Sequence, residues 1–116
     1  MLDWDRIKEL REEVGDDEFQ LILELFLDEV EGVMMRLSRR DPARLETDLH
    51  FLKGCAANLG FAEFGRLCDR AEQHAAARDC DNICINELLR VYSESKQMLM
   101  RDMQAGQTRR QTPRRA

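Results

Sequence analysis

Proline is scarce: Pro42 and Pro113 are the only two in 116 residues, and glycine occurs six times. That scarcity excludes collagen-like chains and proline-rich extended ones. Long apolar runs are missing too. No stretch approaches the roughly 18 consecutive apolar residues of a membrane span, and the start Met1-Leu2-Asp3-Trp4-Asp5 lacks the basic opening and apolar run of a secretory leader. The expectation is a cytoplasmic protein without a membrane. Basic charge is also in deficit, for the formal net charge is −5, opposite to the footprint that nucleic acid requires. Sustained alternation of period two is absent, so no strand is predicted.

What remains is a chain with 43% hydrophobic and 35% charged residues, the balance of a helical domain with a single core. Residues 105–116 differ, holding Arg109, Arg110, Arg114 and Arg115 and no acid. The reading is one helical domain over 1–104 and a disordered basic tail over 105–116, suited to touching an acidic partner. In a reducing compartment Cys55, Cys68, Cys80 and Cys84 are expected as free thiols.

Apolar spacing lays out the helices. Trp4, Ile7, Leu10 and Val14 mark a short first helix ended by Gly15. Asp16 and Asp17 offer an N-cap to a long second helix with the stripe Phe19, Ile22, Leu23, Phe26, Val30, Val33, Met34 and Leu37. Asp41-Pro42 restarts the chain as cap and first helical residue. A third helix runs to about residue 59, burying Leu45, Leu49, Leu52, Ala56 and Leu59, and Gly60 closes it. A fourth carries Phe64, Leu67, Cys68 and Ala71. A last one turns Ile85, Leu88, Leu89, Tyr92, Met98 and Leu99 inward and frays near Met103. Short connections between such helices predict an all-α, antiparallel, up-and-down four-helix bundle with a short additional N-terminal helix.

Within the third helix, DLHFLKGCAANLG over 48–60, a glycine stands in the helix interior. That placement costs roughly 1 kcal/mol relative to alanine. His50 lies about 100° around the helix from Leu49, at the edge of the buried stripe, and is expected to be exposed. Gly54 and Ala57, four and seven residues on, remove bulk beside the imidazole and would let another molecule reach it. Lys53 puts an ammonium on the same face, where it attracts an anion such as a phosphoryl group.

These residues, His50-Phe51-Leu52-Lys53-Gly54-Cys55-Ala56-Ala57-Asn58-Leu59-Gly60, resemble the H-x-L-K-G-(small)-(small)-x-x-L-G signature of histidine-containing phosphotransfer (HPt) domains of bacterial phosphorelays. The resemblance covers roughly residues 5–100, including the Leu25-Phe26 apolar pair before the signature and Leu67-Cys68 with Glu72 after it. It implies that His50 is a phosphoacceptor, taking a phosphoryl group on Nε2 from a receiver-domain aspartyl phosphate and passing it to another receiver. It also implies that Lys53 neutralises the phosphate and Gly54 gives access. Cys55 and Ala56 stand where the family often has serines, so a hydroxyl contact is lost there.

The implied partners are receiver domains of response regulators and hybrid histidine kinases, docking over the His50 face with Phe51, Thr47 and Asn58 as candidate contacts. No cofactor of the chain's own is expected, Mg²⁺ being supplied by the receiver. Nucleotide-binding glycines are absent, so the chain is not expected to use ATP and reads as a phosphocarrier rather than a complete enzyme; with one histidine sufficient per bundle and no spare apolar stripe, a monomer is expected. The alternatives are a docking module that inhibits a kinase or receiver without carrying phosphate, and a phosphatase, for which no second histidine or acid is seen as a general acid. Cys68, His74, Cys80 and Cys84 have no standard zinc spacing, and no metal is assigned.

Overall fold

A computed structural model describes residues 2–111, with side chains described through residue 104. Among the described residues there are five α-helices and no strand: α1 (Trp4–Val14), α2 (Asp16–Leu37), α3 (Pro42–Leu59), α4 (Ala62–Ala76) and α5 (Ile85–Gln111), with a 3₁₀ turn at Cys80–Asn82 before α5. α3 packs against α1, α2 and α4, and α4 against α5.

The helix ends follow local chemistry. The Asp3 carboxylate accepts from the Arg6 N–H at 3.1 Å, and that of Asp41 from the Ala43 N–H at 3.1 Å, each satisfying an orphan donor of a first turn. Gly15, at φ +85°, is the single residue between α1 and α2. With no room for a separate cap, Asp16 and Asp17 fall inside the first turn of α2 rather than before it, where their charge still complements the helix dipole.

Gly60 has two reasons to be glycine. Its φ is +80°, and a Cβ there would lie 2.8 Å from the Asp3 carbonyl oxygen and 2.9 Å from Ile7 Cγ1. The N-terminal segment closes on it, with the Asp3 N–H donating to the Gly60 carbonyl at 2.7 Å.

The core joins all five helices. Leu49, Leu52, Cys68 and Leu99 have no exposed surface, and Tyr92 packs against Phe64 and Phe61 with ring centroids 5.4 and 6.1 Å away. The five expected α3 residues are all buried. On α2, Ile22 and Phe26 are only half-buried, and Leu27 takes an inner place. On α5 the inward residues are Ile85, Leu88, Val91, Tyr92, Ser95 and Leu99, while Met98 is half-buried and Leu89 is exposed. Leu89 sits about 100° around the helix from Leu88, outside that stripe.

α2 and α5 are tied by Glu31, which accepts from the Tyr92 hydroxyl at 2.8 Å and the Lys96 ammonium at 2.6 Å. Glu31 is therefore half-buried and paired. α5 continues to Gln111, past the expected fraying at Met103 and into the segment expected to be disordered. No proline interrupts that run before Pro113; the rest of the expected tail, 112–116, lies outside the described residues.

Candidate functional site

α3 and α4 meet along a seam of small residues. A Cβ on Gly65 would lie 3.3 Å from the Ala56 Cβ, so the two helices approach closely there. Further along the seam Lys53 faces Asp69, and His50 faces Glu72.

The His50 side chain is 70% exposed, and its Nδ1 stands 2.9 Å from Glu72 Oε2. The other oxygen of that carboxylate is 2.9 Å from the Lys53 ammonium, which also reaches Asp69 Oδ1 at 3.2 Å. Gln73 donates to the second Asp69 oxygen at 3.1 Å. One imidazole, one ammonium and two carboxylates thus form a connected network across the seam.

The network sets its own charge states. Hydrogen bonding from Lys53 holds the Glu72 carboxyl below its ordinary range, against the opposing pull of burial, and His50 adds to the effect. Glu72 in turn, then Asp69, raise the Lys53 ammonium above its usual value. An ionised carboxylate only accepts hydrogen bonds, so in the neutral ring the hydrogen is assigned to Nδ1. The Nε2 lone pair then points away from Glu72, and Nε2 has no protein partner among the described residues.

Gly54 and Ala57 are exposed beside the ring. A Cβ on Gly54 would meet nothing within 4 Å, so packing does not require glycine there. Thr47, Phe51 and Asn58 are also exposed on α3; Phe51 is the large apolar one, and the Asn58 carbonyl accepts from Arg6 of α1. On α2, Leu21 and Leu25 are exposed apolar residues, and Gly32 is a second helix-interior glycine with open space at its Cβ position.

Residues 21–106 match the Hpt domain family. The chain belongs to the Hpt domain family. Its members carry phosphoryl groups in phosphorelays and interact with receiver domains. Comparison with curated proteins and with solved structures found no match. No helix among the described residues is long and apolar enough to cross a membrane.

Sequence reasoning missed the acid beside His50. Glu72 was noted only as part of the Hpt-like pattern, whereas it is the hydrogen-bond partner of the ring. Its ionised state suits it to orient the ring, not to act as a general acid. The signal was the polar triplet Asp69, Glu72 and Gln73 at i, i+3 and i+4 on α4. Asp48, buried two residues before His50 and 3.1 Å from Arg36 of α2, was also missed.

The metal candidates do not gather: no three histidine, cysteine or acidic residues among the described ones are placed to hold an ion together. Cys68 lies in the core, where burial pushes its thiol up to about 12, and Cys84 is exposed. His74 is half-buried and 3.3 Å from Asp79.

Proposed function

We propose that Nε2 of His50 accepts a phosphoryl group from the aspartyl phosphate of a receiver domain and relays it to another receiver. The observation that carries this reading is the His50–Glu72 hydrogen bond, which turns an exposed Nε2 lone pair outward beside a glycine that packing does not require. The lone pair attacks phosphorus, the P–O bond to the aspartate breaks, and the aspartate leaves as a carboxylate. Positive charge that builds on the imidazole is met by Glu72 at Nδ1. Reversal of the step delivers the group to the next receiver.

Phosphoryl transfer is mainly positioning and charge stabilisation, so the carrier needs little more than this. Lys53, engaged by Glu72 and Asp69, contributes positive charge next to the incoming phosphoryl group. Gly54 and Ala57 provide clearance. The chain has no cofactor of its own in this reading, Mg²⁺ being held by the receiver.

The docking face is the outer surface of α3 around Thr47, Phe51 and Asn58, with Leu25 and Gly32 of α2 alongside. We propose a cytoplasmic monomer whose long helices form the antiparallel up-and-down bundle. The pairs 56 with 65, 53 with 69 and 50 with 72 support opposite directions for α3 and α4.

The test is transfer from phosphorylated receivers to the protein and to His50→Gln. Acid-labile, base-stable label that disappears in the variant supports the carrier. Absence of label from a broad receiver panel, with the fold intact, would leave a docking module instead.

A further inference from the structure

The stretch Arg36-Leu37-Ser38-Arg39-Arg40-Asp41-Pro42-Ala43-Arg44 puts four arginines within nine residues of a chain whose net charge is −5. Residues 16–31, by contrast, hold seven acids and no base. α2 therefore runs from an acidic start to a basic finish.

Two of the four arginines have a structural task. Arg36 pairs with buried Asp48. Arg40 sits at φ +54°, which disfavours a side chain, yet its guanidinium donates to the Ile83 carbonyl at 3.2 Å and braces the turn before α5. Arg39 and Arg44 are exposed and have no ion pair among the described residues.

Arg39 and Arg44 line one cleft at the α2–α3 turn with Arg36, Asp41 and Asp48. Asp48 is paired with Arg36, and Asp41 caps α3 through the N–H of Ala43, so three arginines against two acids leave the cleft one net positive charge. The positive end of the α3 dipole adds to the same edge. Arg44, Thr47 and His50 follow at three-residue steps, so Arg44 lies about 9 Å from His50 along the α3 axis and about 120° around it, with Thr47 between them. At low salt, where the Debye length reaches about 30 Å, charge at that separation still acts on an approaching partner.

We infer that Arg39 and Arg44, with Arg36, form a basic docking rim that steers an acidic surface of the phosphodonor protein onto His50. The inference rests on the proposed transfer at His50. A donor is anionic at the group it transfers, and a carrier of net charge −5 repels it from most directions. The arginine edge reverses that repulsion on one side of His50, while the acidic start of α2 repels a partner docked the other way round. Rim charges of this kind set association rate and orientation.

The experiment compares the wild type, Arg39→Glu/Arg44→Glu, and a control of equal charge change at the opposite end, Lys8→Glu/Arg101→Glu. Receiver domains labelled with acetyl phosphate serve as donors, and the fastest donor to the wild type is used throughout. Phosphoramidate, a small donor that needs no docking surface, reports the intrinsic reactivity of His50. The rim variant should lose about tenfold in second-order transfer rate at low salt, with a flatter salt dependence and unchanged labelling by phosphoramidate. The control should stay near the wild type. Equal rates and salt slopes in the rim variant and wild type would overturn the rim alone. A wild type that takes label from no receiver would overturn the transfer reading, and the rim with it.

Discussion

His50 of α3 and Glu72 of α4 meet 2.9 Å apart across a seam between helices that are separated in sequence by a glycine turn. The contact fixes which ring nitrogen faces solvent. Glu72→Ala should therefore slow receiver-dependent labelling of His50 by about tenfold or more, with little change in circular dichroism. Glu72→Gln keeps an acceptor for the Nδ1 hydrogen and should fall between. Labelling at the wild-type rate in both variants would remove Glu72 from the proposed chemistry.

Gly54 and Gly60 lie six residues apart and should respond oppositely to alanine. A Cβ at position 54 meets nothing within 4 Å, so Gly54→Ala should stabilise the fold by up to about 1 kcal/mol. At Gly60 the left-handed backbone and the nearby Asp3 carbonyl make Gly60→Ala cost about 2 kcal/mol or more. Urea unfolding of the two variants checks the contrast. Gly54→Glu should fold yet fail to take label, because bulk and negative charge then stand beside the ring; normal transfer would defeat the clearance argument.

Glu31 and Glu72 are both held below the ordinary carboxylate range, chiefly by hydrogen bonds from Lys96 and Lys53 respectively. Stability linked to a depressed carboxyl pKa is complete above the unfolded value of about 4.3 and is lost as pH falls through the folded value. Thermal melts of the wild type and of Glu31→Gln/Glu72→Gln should converge on acidification below about pH 4. A gap that stays constant from neutral to strongly acidic pH would show that these pairings contribute nothing through ionisation.

The pair Arg36–Asp48 is lopsided, with the arginine side chain 44% exposed and the aspartate 6%. Arg36→Met strands a buried carboxylate and should cost about 1–3 kcal/mol. Asp48→Asn leaves a guanidinium that water can reach, and should cost less. Equal losses in chemical denaturation would mean that burial of Asp48 is not what makes the pair matter.

The legible parts of the molecule were those written within one helix. His50, Lys53 and Gly54 stand within five residues, so helical rotation alone places them on one exposed face, and the same rotation marks Leu45, Leu49 and Leu52 as core. Glu72 escaped because its role depends on how α4 is set against α3 along their length, which the seam of Ala56 and Gly65 decides. Asp48 escaped for a similar reason, since its partner comes from α2. Leu89 misled because two adjacent leucines cannot both lie at the centre of one helical stripe. The continuation of α5 to Gln111 is not legible from the tail's charge, because a run of arginines without acids does not by itself stop a helix and no proline interrupts α5 before Pro113.

The docking of α1 onto Gly60 has an optical consequence. Trp4 is the only tryptophan, and it rides at the start of the helix whose neighbour Asp3 bonds to Gly60. Its side chain is partly exposed, so its emission reports the attachment of this one helix rather than the melting of the whole core. Fluorescence read alongside far-ultraviolet dichroism would therefore separate detachment of α1 from global unfolding, with no label added near His50.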